Sequence, residues 1–226
     1  MDIHKKEVLR YLGYHSEKID YLTNQLIDAS IEEVKKTTNV NYVYNIFDIE
    51  KSNHKVFLKG TSLVFEGNDI TNHLLYAKKC AIMAVTLGNF IDQKIRYYSK
   101  IDLTKSLIFD AVATTFVESF CNKVEEEIIE FAETHDFHTT YRYSPGYGDF
   151  PLSIQPKIIQ TLDTQRKIGL AVTDNFILTP RKSVTAVIGL QNNPATLKQN
   201  ACENCNQNAT CTYKKDGDSC GIQKNN

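Results

Sequence analysis

The sequence lacks any apolar run near the ~18 residues that a membrane-crossing helix needs. It lacks an apolar leader core as well: Met1-Asp2-Ile3-His4-Lys5-Lys6-Glu7 leads into a polar, helix-like stretch. Both absences lead us to expect a cytoplasmic protein without a membrane partner. Charge excess is also missing, with 26 Lys and Arg against 27 Asp and Glu and a formal net charge of −1. A broad nucleic-acid surface needs a basic face, so no nucleic-acid partner is expected. The sequence has no internal repeat, Walker loop, Gly-x-Gly-x-x-Gly, His-Glu-x-x-His or Ser-His-Asp order. No catalytic residue is assigned.

What is there is an ordinary core composition and a lopsided set of thiols. The 226 residues are 42% hydrophobic and 23% charged, enough for one packed domain. Four of the six cysteines, Cys202, Cys205, Cys211 and Cys220, lie in the last 25 residues. In a cytosolic chain such a cluster points to metal rather than disulfides. Four thiolates suit tetrahedral zinc or an iron–sulfur cluster; the alternative is a plain tail with reduced thiols. From Gln191 onward the chain is rich in Asn, Lys and Cys. We therefore divide it into a domain over 1–190 and a Cys-rich tail over 191–226.

Periodicity and turn residues give the elements. A lead helix ends near Gly13, and a second runs from about Glu17 to Lys36 behind Ser16 as its cap. Strands are expected over Val40–Ile49, Val56–Leu58 and Ser62–Phe65. A helical region follows from Asn68 or Asp69 to Leu87, broken near Gly88, and a long helix covers Leu103–Glu133. A strand over Phe137–Tyr143 precedes the loop Ser144–Pro151. Another helix starts at Ser153 or Ile154, with Pro156 in its first turn and Gly169 as its C-cap. Phe176–Leu178 and Ser183–Leu190 read as closing strands. Helices and strands alternate without βαβ regularity, so the class is α+β.

Two places carry chemistry. On the long helix, Leu107–Cys121 is apolar except for Asp110 and Glu118 among its ionised residues. A carboxylate there either pairs structurally or serves a wet cavity. In Arg142-Tyr143-Ser144-Pro145-Gly146-Tyr147-Gly148-Asp149-Phe150-Pro151, a guanidinium suits a carboxylate or phosphate. Gly146 permits close backbone approach, and Tyr143 and Tyr147 offer flat faces for a ring or a cation. This run is either a binding loop for a small zwitterionic or nucleoside ligand or a packed turn. Arg181 and Lys182 either face an anion or form a solvated turn. His135 and His138 are the one close histidine pair, and Cys80 and Cys121 read as inert core thiols.

The loop resembles the Arg-x-x-Pro-Gly-Tyr-x-x-x-Pro motif of the activation domain of cobalamin-dependent methionine synthase. Val117-Glu118-Ser119-Phe120 resembles the Ala-Glu-Ala-Phe helix of that family. Thr173-Asp174-Asn175-Phe176, Pro180 and Ser183-Val184 resemble its last conserved segment, in the same order. The resemblance covers about Ala111–Gly189, and the N-terminal third is similar to the stand-alone members of the family. It implies a C-shaped α+β fold around a bent antiparallel sheet flanked by helices. It also implies an S-adenosylmethionine site in which Arg142 holds the ligand carboxylate. The backbone at Ser144 and Gly146 would meet the adenosyl part, with Tyr147 and Glu118 near the sulfonium and amino groups. The implied role is a reactivation subunit for reductive methylation of cobalamin carried by a methionine synthase that lacks this domain. A flavodoxin-like protein would supply the electron, or an iron–sulfur tail would. The alternative is a non-catalytic S-adenosylmethionine or corrinoid-protein binding module with a metal-binding tail. The family's N-terminal aspartate has no counterpart here, and Gln191–Leu197 lacks its late tyrosine.

Overall fold

The computed structural model describes residues 3–14 and 19–193. Helices α1 (Lys5–Tyr11) and α2 (Tyr21–Thr37) precede strands β1 (Asn41–Ser52), β2 (Lys55–Leu58) and β3 (Val64–Glu66). A short helix α3 (Asn68–His73) leads to β4 (Lys79–Thr86), then to α4 (Asn89–Ile101), α5 (Leu103–Thr134) and β5 (His138–Thr139). Helices α6 (Gln155–Leu162) and α7 (Thr164–Ile168) come next, followed by β6 (Ala171–Val172), β7 (Leu178–Thr179) and β8 (Ser183–Gln191).

Local chemistry sets the helix ends. Ser16 lies outside the described residues. The cap of α2 is Asp20, whose Oδ1 accepts the Thr23 N–H at 3.0 Å. Asp102 is extended, which ends α4, and its carboxylate accepts the Lys105 N–H at 2.9 Å, which starts α5. One residue thus folds α4 back along α5. Asp163 and Gly169, both left-handed, bracket α7, and Gly169 is its C-cap as expected.

The α+β reading holds. Six strands form an antiparallel sheet in the order β3-β2-β1-β4-β8-β5. The sheet bends along β1, which pairs through Asn41–Asp48 with β4 and through Ile49–Ser52 with β2.

The central strand corrects the sequence reading. Lys79–Thr86 was expected to be helical, and it is β4, the middle of the sheet. Its sequence is one apolar run because both faces are buried. Ala81, Met83 and Val85 face the helical layer, while Cys80, Ile82 and Ala84 face the opposite core. β8 alternates in the same way, with Ala186, Ile188 and Leu190 on one side and Val187 on the other. A short run with no period reads equally as buried helix or buried strand.

The strand expected over Phe137–Tyr143 shrinks to His138–Thr139 and a lone bridge from Tyr143 to Val187. Thr140 causes the break. Its Oγ1 accepts the Gly189 N–H at 2.8 Å, so a side chain replaces a backbone carbonyl in the ladder. Phe176 sits in a left-handed turn, and the strand expected there starts at Leu178. Among the described residues no helix is long and apolar enough to cross a membrane.

Candidate functional site

The stretch between β5 and the 144–150 loop is extended, so alternate side chains leave it on opposite faces. Arg142 points to α5, while Tyr141 and Tyr143 flank His73 at the end of α3. Glu118, Asn122 and Glu125 are spaced four and three apart along α5, which puts them on one helix face. Arg142 meets all three. Its Nη2 donates to Asn122 Oδ1 at 2.8 Å and to Glu118 Oε2 at 3.4 Å, and its Nε forms an ion pair with Glu125 Oε2 at 3.2 Å.

The balance of this cluster is uneven. The Arg142 side chain is 10% exposed, yet its Nη1 is buried without a hydrogen-bond partner. An unmet buried donor of a charged group costs ~1–3 kcal/mol or more, so the guanidinium has capacity for a further acceptor. Glu118 is 39% exposed and makes one long contact to Arg142. Burial raises the Glu125 carboxyl above its ordinary range, with Arg142 opposing. The cluster offers an open carboxylate next to an arginine with an unused amino group, which suits a ligand bearing both charges.

The loop that follows Arg142 is built closely. Gly146 N–H donates to Phe150 O at 2.7 Å, Tyr147 N–H to Ser144 O at 3.3 Å and Phe150 N–H to Tyr147 O at 3.0 Å. Asp149 ties the loop to α3: its carboxylate accepts the N–H groups of Asn68 at 2.6 Å and Asp69 at 3.0 Å. Asp69 returns the bond, its Oδ2 accepting the Asp149 N–H at 2.9 Å. This approach needs glycine. At Gly148, with φ +54°, a Cβ would lie 2.0 Å from Asp69 Oδ2 and 2.6 Å from the Tyr143 hydroxyl. The Tyr147 ring is exposed at the rim, and its carbonyl accepts from the Tyr143 hydroxyl at 3.2 Å.

His73 supports the loop from below. Its ring stacks on Tyr143 at 5.1 Å, meets Tyr141 edge-on at 4.6 Å and places Nε2 2.9 Å from Thr140 Oγ1. Burial lowers its pKa to about 4, against a backbone bond to Tyr141 that raises it. The imidazole is neutral at pH 7.

Of the residues singled out in the sequence, the structure brings Glu118 to Arg142. Ser144, Gly146 and Tyr147 continue the chain from there. Asn122, Glu125, Asp149 and His73 were missed. The first two could have been found by following the helix face down from Glu118. Lys182 is a structural cation rather than a solvated one. Its ammonium reaches Asp110 Oδ2 at 2.9 Å and Thr114 Oγ1 at 2.8 Å. The histidine pair does not converge on a common point: His135 stacks on Phe131 at 4.1 Å, and His138 lies exposed in β5. Cys80 and Cys121 are buried, and burial pushes both thiols up, so neither is a thiolate. Among the described residues no His, Cys, Asp and Glu group could hold a metal. Cys202, Cys205, Cys211 and Cys220 lie outside them.

A family model described as "Vitamin B12 dependent methionine synthase, activation domain" matches residues 70–215. In fold, the chain is similar to the crystal structure of the MetH reactivation domain bound to AdoHcy. The TM-score is 0.62 at 16% identity, over 77% of this chain and 67% of that one. No curated protein matches this chain.

Proposed function

The chain belongs to the family of the vitamin B12 dependent methionine synthase activation domain, and from that premise we propose that it binds an S-adenosyl ligand at the Glu118–Arg142 cluster and the 144–150 loop. We propose further that it acts as a separate subunit that reactivates a cobalamin-carrying methionine synthase lacking this domain. One observation carries the reading: a nearly buried arginine with an unpartnered amino group beside a half-exposed carboxylate. The AdoHcy in the similar fold supports it, because that ligand carries an amino-acid end with both charges.

In this role Arg142 holds the ligand carboxylate and Glu118 faces its ammonium and sulfonium charges. Ser144 and Gly146 present backbone to the adenosyl part, and Tyr147 offers its face at the open rim. When bound, S-adenosylmethionine would supply a sulfonium methyl for the partner's cobalamin, with the reducing electron coming from a separate donor. The chain's own contribution is position and electrostatics. The four tail cysteines are assigned an accessory metal, as zinc or an iron–sulfur cluster; an iron- and zinc-free protein after anaerobic purification would refute this.

Titration calorimetry with S-adenosylhomocysteine tests the binding. Wild type should release heat with a single site, and Arg142→Ala should not. Anaerobic mixing with a Co(II) synthase, a reductant and S-adenosylmethionine tests the role. Loss of the Co(II) spectrum supports reactivation, whereas binding without that change favours a binding module.

A further inference from the structure

Arg142 is held at Nε and Nη2, and its Nη1 has no hydrogen-bond partner. Nε and Nη2 lie side by side on the planar guanidinium, and α5 fills that edge with Glu125 on Nε and Asn122 on Nη2. A fork held at two adjacent nitrogens is restrained about its last torsions, which sets where the unpartnered Nη1 points. Glu118 adds a longer hydrogen bond to Nη2 at 3.4 Å, and its side chain is 39% exposed. Glu125 is 20% exposed, and burial raises its carboxyl while Arg142 opposes. A neutral side chain at that position would pack into α5 more cheaply, so the carboxylate is explained by what it does to Arg142.

Resting on the S-adenosyl reading above, we propose that Glu125, assisted by Asn122, is a positioning residue for that site. It holds the side edge of Arg142 so that the guanidinium meets an α-carboxylate end-on, and it thereby makes the site select ligands that carry an amino-acid end. Glu125 touches no ligand in this arrangement. It acts through Arg142, and the half-exposed Glu118 faces the ligand's cation.

Two ligands separate this from a structural role. S-adenosylhomocysteine carries the amino-acid end, whereas 5′-methylthioadenosine has the same adenosine and sulfur without it. Calorimetry on the full chain should show Glu125→Ala weakening S-adenosylhomocysteine roughly tenfold, with methylthioadenosine within about twofold of wild type. Glu125→Gln, which keeps an oxygen beside Nε but loses the charge that pairs with Arg142, should recover only part of the loss. Equal weakening of both ligands, or of neither, overturns the proposal while leaving the S-adenosyl reading in place. Wild type that binds neither ligand overturns both. If Glu125→Ala melts too low to titrate, Asn122→Ala carries the same two-ligand comparison, with the same outcomes deciding.

Discussion

Two cations from the second half of the chain dock on the same face of α5, and they are used differently. Lys182, at the start of β8, meets Asp110 and Thr114 at 2.9 and 2.8 Å. Arg142 lands two turns further along, on Glu118, Asn122 and Glu125, with contacts of 3.4, 2.8 and 3.2 Å. The lysine is a point charge, and two partners one helical turn apart hold it at short range. The arginine has a flat fork, more partners and still a buried amino group with none. The first contact fastens a strand to a helix. The second leaves a buried donor unmet, which supports the ligand site proposed there.

The largest effect should come from Arg142→Ala, which removes the fork and leaves Glu125 in a half-buried position without its cation. S-adenosylhomocysteine affinity should fall roughly a hundredfold or more by calorimetry. Lys182→Ala should change that affinity by less than about threefold; a loss as large as that of Arg142→Ala would erase the distinction between the two contacts.

Acid should weaken the Arg142 end first. His73 titrates near 4 in the fold against 6.5 unfolded, so the unfolded chain binds the proton more tightly between these values. Stability from this group is complete above about pH 6.5 and is lost as pH falls towards 4, by up to roughly 3 kcal/mol. Denaturant midpoints across that window should show the slope, and His73→Gln should flatten it. Next in size, Gly148→Ala should cost about 2 kcal/mol, through its left-handed φ and the clash with Asp69, and should weaken ligand binding along with the melt. Smallest is Lys182→Ala itself in a thermal melt. The loss should be about 1 kcal/mol, because Asp110 is 47% exposed and solvent screens the pair.

Much of the fold was legible in local signals. The apolar pattern of α5 follows from helical periodicity, and Pro156 in the first turn of α6 and Gly169 at the end of α7 each follow from one residue's own geometry. β4 was not legible, because burial on both faces removes the period that tells strand from helix. Thr140 illustrates a finer limit: a threonine at the end of a β-rich run reads as strand, and only its hydroxyl on Gly189 breaks the ladder. At the site, Glu118 and Arg142 stood out as a charge on an apolar helix and an arginine before a Pro-Gly turn. Glu125 and Asn122 did not, since they sit in a stretch of α5 already rich in charge, and nothing local marks which of its acids faces inward.

The sequence alone determined the class, the long helix and the loop with its arginine, because propensity, turn chemistry and a quoted motif act over a few residues. Only the tertiary structure decided which acids meet that arginine and that the loop is locked to α3 by Asp149. It also decided that one cation finishes its contacts while the other does not. Those outcomes depend on residues 17 to 81 positions apart being brought within hydrogen-bond distance, and no local rule specifies such pairs.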